Sequence, residues 1–274
     1  MSAITAPLIE EPRGLGRVTA AISDAFAVTG RNLIAFRRVP QLIVFSTIQP
    51  AIFVLLWRYV FGGAIDIGGG IPYVDFLMPA IFIQTVVFGA MGAAVGLAAD
   101  IKSGLLERFQ ALPMARSAVL AGRTLADLTR NVFVVALMVA IGFAVGFRVH
   151  TGALGFLAGL LVVLLFGYVL SWVFATLGLL VSDPETAQAA SFPIIAPMVF
   201  ASNAFVPPET MPGWLQSFAE HQPVSATISA VRALVLGAPP GESTAGLVLQ
   251  ALVWMAGILI IFAPLAVRRY RRAV

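Results

Sequence analysis

The sequence predicts an all-α integral membrane protein, and three observations carry that class. Hydrophobic residues make up 59% of the 274-residue chain and charged residues 11%, whereas a soluble domain is about half apolar and about a quarter charged; mean hydropathy is +0.96. The apolar residues are gathered into six long segments, each near the roughly 20 residues a helix needs to cross the hydrocarbon core. With six spans and both termini cytoplasmic, all of the 17 Lys and Arg except Arg58, Arg148 and Arg232 lie inside, as the positive-inside rule requires. An odd number of spans would put the tail Arg268, Arg269, Arg271 and Arg272 outside. The formal charge of +4 therefore reads as membrane topology and not as nucleic-acid binding.

Residues 1–16 are polar, contain Pro and Gly, and are expected to be flexible; they lack the apolar core of a signal peptide, so no cleavage is expected. Over 17–38 the pattern becomes amphipathic. Val18, Ile22, Ala25, Phe26, Leu33 and Phe36 share one helical face, and Arg17, Ser23, Asp24, Arg31 and Asn32 the other. A helix lying in the membrane interface, ended by Arg37 and Arg38, fits this pattern; an ordinary surface helix is the alternative. The transmembrane domain follows at 39–274, with spans at about 39–61, 74–99, 117–147, 153–181, 187–205 and 245–267.

Span one is interrupted by Gln41, Gln49 and Pro50 and carries Arg58 near its far end, where the side chain snorkels to headgroups or meets an anion. Span three is fully apolar only from Val132; its foot, with Arg123, Asp127 and Arg130, is expected to project into the cytoplasm or headgroups, Asp127 bridged to arginines at i−4 and i+3. Between spans four and five, Ser182-Asp183-Pro184-Glu185 reads as a helix start, with Asp as N-cap, Pro in the first turn and Glu at the positive dipole end. Span five carries Pro193 and Pro197. The outer segment 206–241 is too long for a turn and too polar to span. Trp214, Leu215 and Phe218 give it an apolar side, Pro223 divides it, and 227–236 looks helical. It is read either as two short helices re-entering the outer leaflet packed on protein or as an amphipathic hairpin lying flat.

Between spans two and three lies Asp100–Arg130, DIKSGLLERFQALPMARSAVLAGRTLADLTR, which concentrates charge in a chain that has little. It holds the only Lys, Lys102. Leu105, Leu106, Phe109 and Leu112 recur at helical spacing, Pro113 breaks the helix and Arg116 follows. This is a short amphipathic cytoplasmic helix placed to touch another protein.

Much chemistry is missing. No G-x-x-x-x-G-K-[ST] loop occurs, and Lys102 follows Ile101, so the chain has no Walker lysine. With no Cys there is neither a disulfide framework nor a thiolate metal site. His150 and His221 are isolated in sequence, without a metal-ligand partner at useful spacing. No carboxylate sits mid-span, where a proton- or sodium-coupled carrier needs one. No catalytic pair is evident, so no enzyme activity, cofactor or metal site is expected on this chain. Gly92 with Gly96, Gly142 with Gly146 and Gly155 with Gly159 allow close helix contacts. Gln49, Gln84 and Asn203 are polar groups inside spans, either bonded between helices or lining a path.

The stretch LLERFQALPMARSAVLAGR between spans two and three, and PGWLQSFAEHQPVSATISAVRALVLG before span six, resemble the permease subunit of type-2 ABC exporters, particularly the daunorubicin/doxorubicin-resistance type. The resemblance covers nearly the whole chain after about residue 17. Its most specific parts are Glu107-Arg108 … Leu112-Pro113 … Arg116 and Trp214 … Gln222-Pro223-Val224-Ser225 … Arg232. It implies that the inner helix, with Leu105, Glu107, Arg108, Phe109, Leu112 and Arg116, is the coupling helix of an ATPase subunit. It implies an outer re-entrant gate formed around Trp214, Phe218, Pro223 and Arg232. It further implies a bacterial plasma-membrane complex of two permeases, as a homodimer or close heterodimer, with two ABC ATPase subunits that carry the ATP and Mg. A hydrophobic or amphiphilic substrate, drug or lipid, would leave by alternating access. Phe53, Trp57, Phe82, Gln84, Phe88, Met198, Phe200 and Asn203 are candidates for its path, or for lipid contact. A polysaccharide or glycolipid exporter of the same superfamily, or a motor-free secondary transporter, are the alternatives.

Overall fold

The computed structural model describes residues 40–63, 71–105, 116–181 and 183–273, with side chains described from Ile48 in the first helix, from Gly122 in the third and as far as Tyr270 in the last. The interfacial helix expected at 17–38 lies outside the described residues. Those that are described form helices and their connections, with no strand among them.

Eight helices are named here in chain order: α1 (Pro40–Leu55, prolonged by a π-helical turn at Leu56–Phe61), α2 (Tyr73–Lys102), α3 (Arg116–Ala144), α4 (Ala153–Gly178), α5 (Pro184–Phe200), α6 (Gly213–Glu220), α7 (Pro223–Leu236) and α8 (Thr244–Ala273). Four stretches are long and apolar enough to cross a membrane: α2, Gly122–Ala144 of α3, α4, and Thr244–Tyr270 of α8. Against the six expected spans, the other two segments give shorter elements. α1 carries Pro50, and α5 has Pro193 and Pro197 inside it. The fifth apolar segment runs to Phe205, but α5 stops at Phe200, where the Ala201 N–H makes a last bond to the Pro197 carbonyl at 2.9 Å and the chain turns.

α2 is the centre of the bundle, packed against α4, α5, α3, α7 and α1. It is apolar all round, the mark of a helix buried on every side. In a membrane apolar burial gains nothing over lipid contact, so close van der Waals packing must hold helices together. α2 supplies the small residues for it: Ala90, Ala93, Ala94 and Ala98 are all buried. The tightest approach is to α4, where a Cβ added at Gly178 would sit 2.5 Å from the Ala94 carbonyl oxygen. Phe82, fully buried, meets Phe147 edge-on at 5.9 Å; it is a core residue, where the sequence reading left it as a candidate for the path or for lipid contact. The outward faces are plainly apolar, with Leu154, Leu157, Leu161 and Leu165 exposed along α4 and Leu249, Val253, Ile260 and Ile261 along α8.

The bundle has two distinct ends. One, the basic end, carries Lys102, Asp183, Arg268 and Arg269; the other carries α6 and α7.

Candidate functional site

α1 and α5 both run from the basic end along α2. At the far end their aromatic side chains meet. Phe53 lies 6.4 Å from Phe200, Trp57 stacks on Phe205 at 4.5 Å, and Phe200 stacks on Phe205 at 5.8 Å. Beneath this cluster lies a cavity of about 270 Å³, whose walls come from Gln49 and Pro50 of α1, Gln84, Phe88 and Met91 of α2, Arg130 and Asn131 of α3, and Gln188 of α5. Gln49 and Gln188 are exposed at its rim, while Gln84 and Asn131 are buried on its floor. Of the candidate path residues, Gln84 and Phe88 thus line a cavity and Phe53 and Trp57 belong to the cluster above it. Met198 lies elsewhere, in a second cavity of about 260 Å³ with apolar walls that include Val87, Phe174 and Trp254.

The polar side of the cavity is built by α3 and a glycine stripe. Arg130 donates to the Gly89 carbonyl and lies 3.8 Å from Asp127, and Arg123 pairs with Asp100. A Cβ at Gly92 would stand 2.6 Å from the Arg130 guanidinium, and one at Gly96 2.6 Å from the Cζ of Arg123. Gly92 and Gly96 thus admit the Arg130 and Arg123 side chains of α3, while a Cβ at Gly89 would meet Asn131 Oδ1 at 2.5 Å; of the other pairs, Gly155 and Gly159 sit against α7 and Gly142 against Met78, but nothing lies within 4 Å of Gly146. The charged foot of α3 is corrected too. It packs into the bundle, with Asp127 only 4% exposed and Arg123 turned to Asp100 on α2. Sequence spacing showed the i+3 partner, but the glycines that admit two guanidinium groups act across helices and leave no local pattern.

At the basic end Lys102 pairs with Asp183 at 2.6 Å, linking α2 to the start of α5. Asp183 also caps α5, accepting from the Glu185 and Thr186 N–H groups at 3.1 Å each, as the sequence predicts. The Lys102 ammonium and these N–H groups hold its carboxyl below the usual carboxylate range. Leu105, half-buried, and Arg116, the first residue of α3, bracket the proposed coupling stretch at this end. Glu107, Arg108, Phe109 and Leu112 lie outside the described residues.

At the other end α6 and α7 stand as two short helices joined at Pro223, which opens α7 at a position where its missing N–H costs nothing. They differ sharply. α6 leaves Trp214 76% exposed and Phe218 exposed, so neither packs on the bundle as expected; among its residues Ala219 is the buried one. α7 is deeply packed, with Val224, Ile228, Val231 and Val235 buried. Arg232 fastens it: Nε donates to the Phe76 carbonyl at 3.0 Å, a terminal nitrogen to the Ala204 carbonyl at 2.9 Å, and the guanidinium stacks 3.4 Å over the Phe76 ring. Asn203 adds a bond from Nδ2 to Ser229 Oγ at 2.8 Å, and Gln222 one from Nε2 to the Ala201 carbonyl at 2.7 Å.

One cluster escaped sequence reading. Asp75, 2% exposed in the first turn of α2, accepts the Arg148 backbone N–H at 2.8 Å and faces His150 Nε2 at 3.0 Å, while the His150 N–H reaches the Val235 carbonyl at 2.9 Å. His150, isolated in sequence, is thus a strut joining α2, the α3–α4 turn and α7. A carboxylate at the edge of an apolar segment was the available signal.

The family model of the ABC-2 type transporter matches residues 24–236, which takes in the cleft, the α3 arginines and the α6–α7 pair. The chain belongs to the ABC-2 type transporter family. It is 38% identical over 251 residues, 92% of this chain and 87% of the relative, to a daunorubicin resistance ABC transporter permease protein of Streptomyces coeruleorubidus. It is 28% identical over 262 residues, 89% of this chain and 90% of the relative, to a doxorubicin resistance ABC transporter permease protein of Mycobacterium tuberculosis. The chain is an ABC-2 type permease and a multi-pass membrane protein.

Proposed function

We propose that this permease is the transmembrane subunit of an ATP-driven exporter in a bacterial plasma membrane, moving a hydrophobic or amphiphilic drug or lipid out of the cytoplasm or inner leaflet. The observation that carries the reading is the cleft between α1 and α5: sealed by Phe53, Trp57, Phe200 and Phe205 at one end, and polar beneath the seal. A path that is closed on one side at a time is what alternating access requires.

Six spans with both termini in the cytoplasm complete the proposal. α1 with its π turn, 16 and 6 residues, reaches about 30 Å at helical rise. α5, at 17 residues, is about 25 Å long, enough for a locally thinned or packed span. The basic end is then cytoplasmic, and the stretch between Leu105 and Arg116 faces the ATPase. That subunit, in two copies, supplies the ATP and Mg chemistry. Ile48 and Ile52 of α1 and Phe192 of α5 are exposed, one helical turn or less from the cavity residues Gln49 and Gln188; a second permease copy covers them and closes the substrate path between the two. α6 and α7 form the outer gate, with α7 fixed by Arg232 and α6 laying Trp214 and Phe218 into the outer leaflet, where aromatic side chains favour the interface.

The test is capture. The tagged chain, expressed with an ABC ATPase subunit, should retain it through purification in mild detergent, and Glu107→Ala with Arg108→Ala should release it while the permease still inserts. Retention unaltered by both changes would move the coupling surface elsewhere, and no capture of any ATPase subunit would refute the exporter reading.

A further inference from the structure

The second cavity, of about 260 Å³, is walled by α2, α4, α5, α7 and α8 and shares no lining residue with the cavity beside α1. Val87, Leu170, Phe174 and Val224 are buried on its floor. Its exposed wall residues are Ile194 of α5 and Trp254 of α8, so it opens between those two helices. The surface it presents is wholly apolar. A water molecule needs two to four polar partners, and an apolar cavity of about 150 Å³ is known to stay dry and to take up benzene or xenon. Left empty, the larger space would cost each wall its dispersion contacts. Its depth is fixed by two helices: Val87 and Ile258 of its wall stand at the midpoints of α2 (Tyr73–Lys102) and α8 (Thr244–Ala273). The cavity therefore lies level with the middle of the bilayer, about 15 Å from either headgroup layer, half the hydrocarbon thickness. What surrounds its opening there is the ends of lipid tails.

We infer that this cavity holds the methyl end of an acyl tail, drawn from a bilayer lipid through the opening between α5 and α8. A lipid anchored by its head at the interface presents only hydrocarbon at this depth, which is what the wall accepts. A polar head that followed the tail inside would find no hydrogen-bond partner and would be desolvated at a cost. The tail packs on Pro223 and Val224, the first turn of α7, and on Ile195 and Met198 of α5. Arg232 fixes α7 near its other end. The tail thus completes the seat of α7 from the side that protein leaves open, and makes that seat depend on the surrounding lipid. The site lies apart from the cleft between α1 and α5, goes beyond the exporter reading, and needs only that the chain spans a bilayer.

The site can be read by photolabelling the full chain in phosphatidylcholine nanodiscs. A trace of phosphatidylcholine carries a diazirine either at the end of one tail or beside its ester, and the adducts are mapped by tandem mass spectrometry. The tail-end probe should label Leu170, Phe174 or Val224, which are at most 4% exposed and are reached by lipid only from inside the cavity. It should also label Val253 and Ile261, which face lipid on α8. The ester-side probe should leave the floor residues unlabelled. Val173→Phe and Ile258→Phe enlarge half-buried wall residues. Each should lower the floor adducts about tenfold, because a filled cavity offers the tail no wall contacts. Unchanged labelling of Val253 and Ile261 in the same samples shows that the variants are folded and embedded. Floor residues unlabelled while Val253 and Ile261 are labelled, floor adducts equal from the two probes, or floor adducts unmoved by both substitutions would overturn the site. None of these outcomes depends on ATPase capture, so the exporter reading stands or falls separately.

Discussion

Arg232 offers the sharpest test of how α7 is held. Its guanidinium ties α7 both to α2 and to the loop after α5, through bonds of 3.0 and 2.9 Å to the Phe76 and Ala204 carbonyls. Hydrogen bonds with a charged partner are worth about 1.5–3 kcal/mol each. Taking the lower figure for both, Arg232→Ala should weaken the seating of α7 by about 3 kcal/mol, before counting the guanidinium stacked on Phe76, which adds about 1 kcal/mol. Three kcal/mol is about a hundredfold in an opening equilibrium. Hydrogen–deuterium exchange of the nanodisc-embedded protein reads that equilibrium directly. Amides of α7 from Ala226 to Leu236 should exchange about a hundredfold faster in Arg232→Ala, while those in the middle of α4 keep their rates. Arg232→Lys should recover part of the loss, because an ammonium keeps the charge but cannot span both carbonyls with a planar fork. Exchange in α7 unchanged within a factor of about three would show that apolar packing alone holds the helix and would refute this reasoning.

Other expectations follow from the same geometry. Gly178→Ala puts a methyl group 2.5 Å from the Ala94 carbonyl oxygen, against backbone that cannot yield, and should cost about 1–3 kcal/mol in thermal or detergent unfolding; Gly257→Ala, where nothing lies within 4 Å, should be neutral or stabilising. Asp183 has its folded carboxyl held below the ordinary value of 3.8 by Lys102, so its contribution to stability is full above about pH 4 and is lost as pH falls through the lower folded value. The stability difference between wild type and Lys102→Met should therefore stay constant from neutrality to about pH 4 and shrink below it. Glu107→Ala and Arg108→Ala should insert normally yet lose most export and ATPase stimulation in a reconstituted system; full export by both would mark them as solvated charges of little consequence.

The membrane class, the all-helical character and the Asp183 cap were legible because composition, apolar length and capping are local properties of a chain. The aromatic pair Phe53 and Trp57, and Gln84 with Phe88, could be named as candidates, but not sorted. Assigning Phe53 and Trp57 to an aromatic cluster, Gln84 and Phe88 to a cavity, Met198 to a separate apolar pocket and Phe82 to the core needs the relative rotation of α1, α2 and α5. The seats that Gly92 and Gly96 offer to Arg130 and Arg123 were illegible for a related reason: a glycine that admits another helix's guanidinium looks in sequence like a glycine that admits another backbone. The Asp75–His150 contact joins residues far apart in the chain and depends on three elements meeting at one end of the bundle. Trp214 and Phe218 misled in the opposite direction, since an apolar side chain in a membrane protein can be satisfied by lipid as well as by protein.

The central claim is that this permease moves cargo only when another chain hydrolyses ATP. The direct measurement is ATP-dependent uptake of a labelled amphiphile into inverted membrane vesicles carrying the permease alone, the ATPase subunit alone, both, or both with the ATPase catalytic carboxylate replaced. Uptake confined to the vesicles with both intact subunits, together with no ATP turnover by the highly purified permease, is the predicted result. ATP-independent uptake driven by an imposed proton or sodium gradient in vesicles holding the permease alone would contradict it.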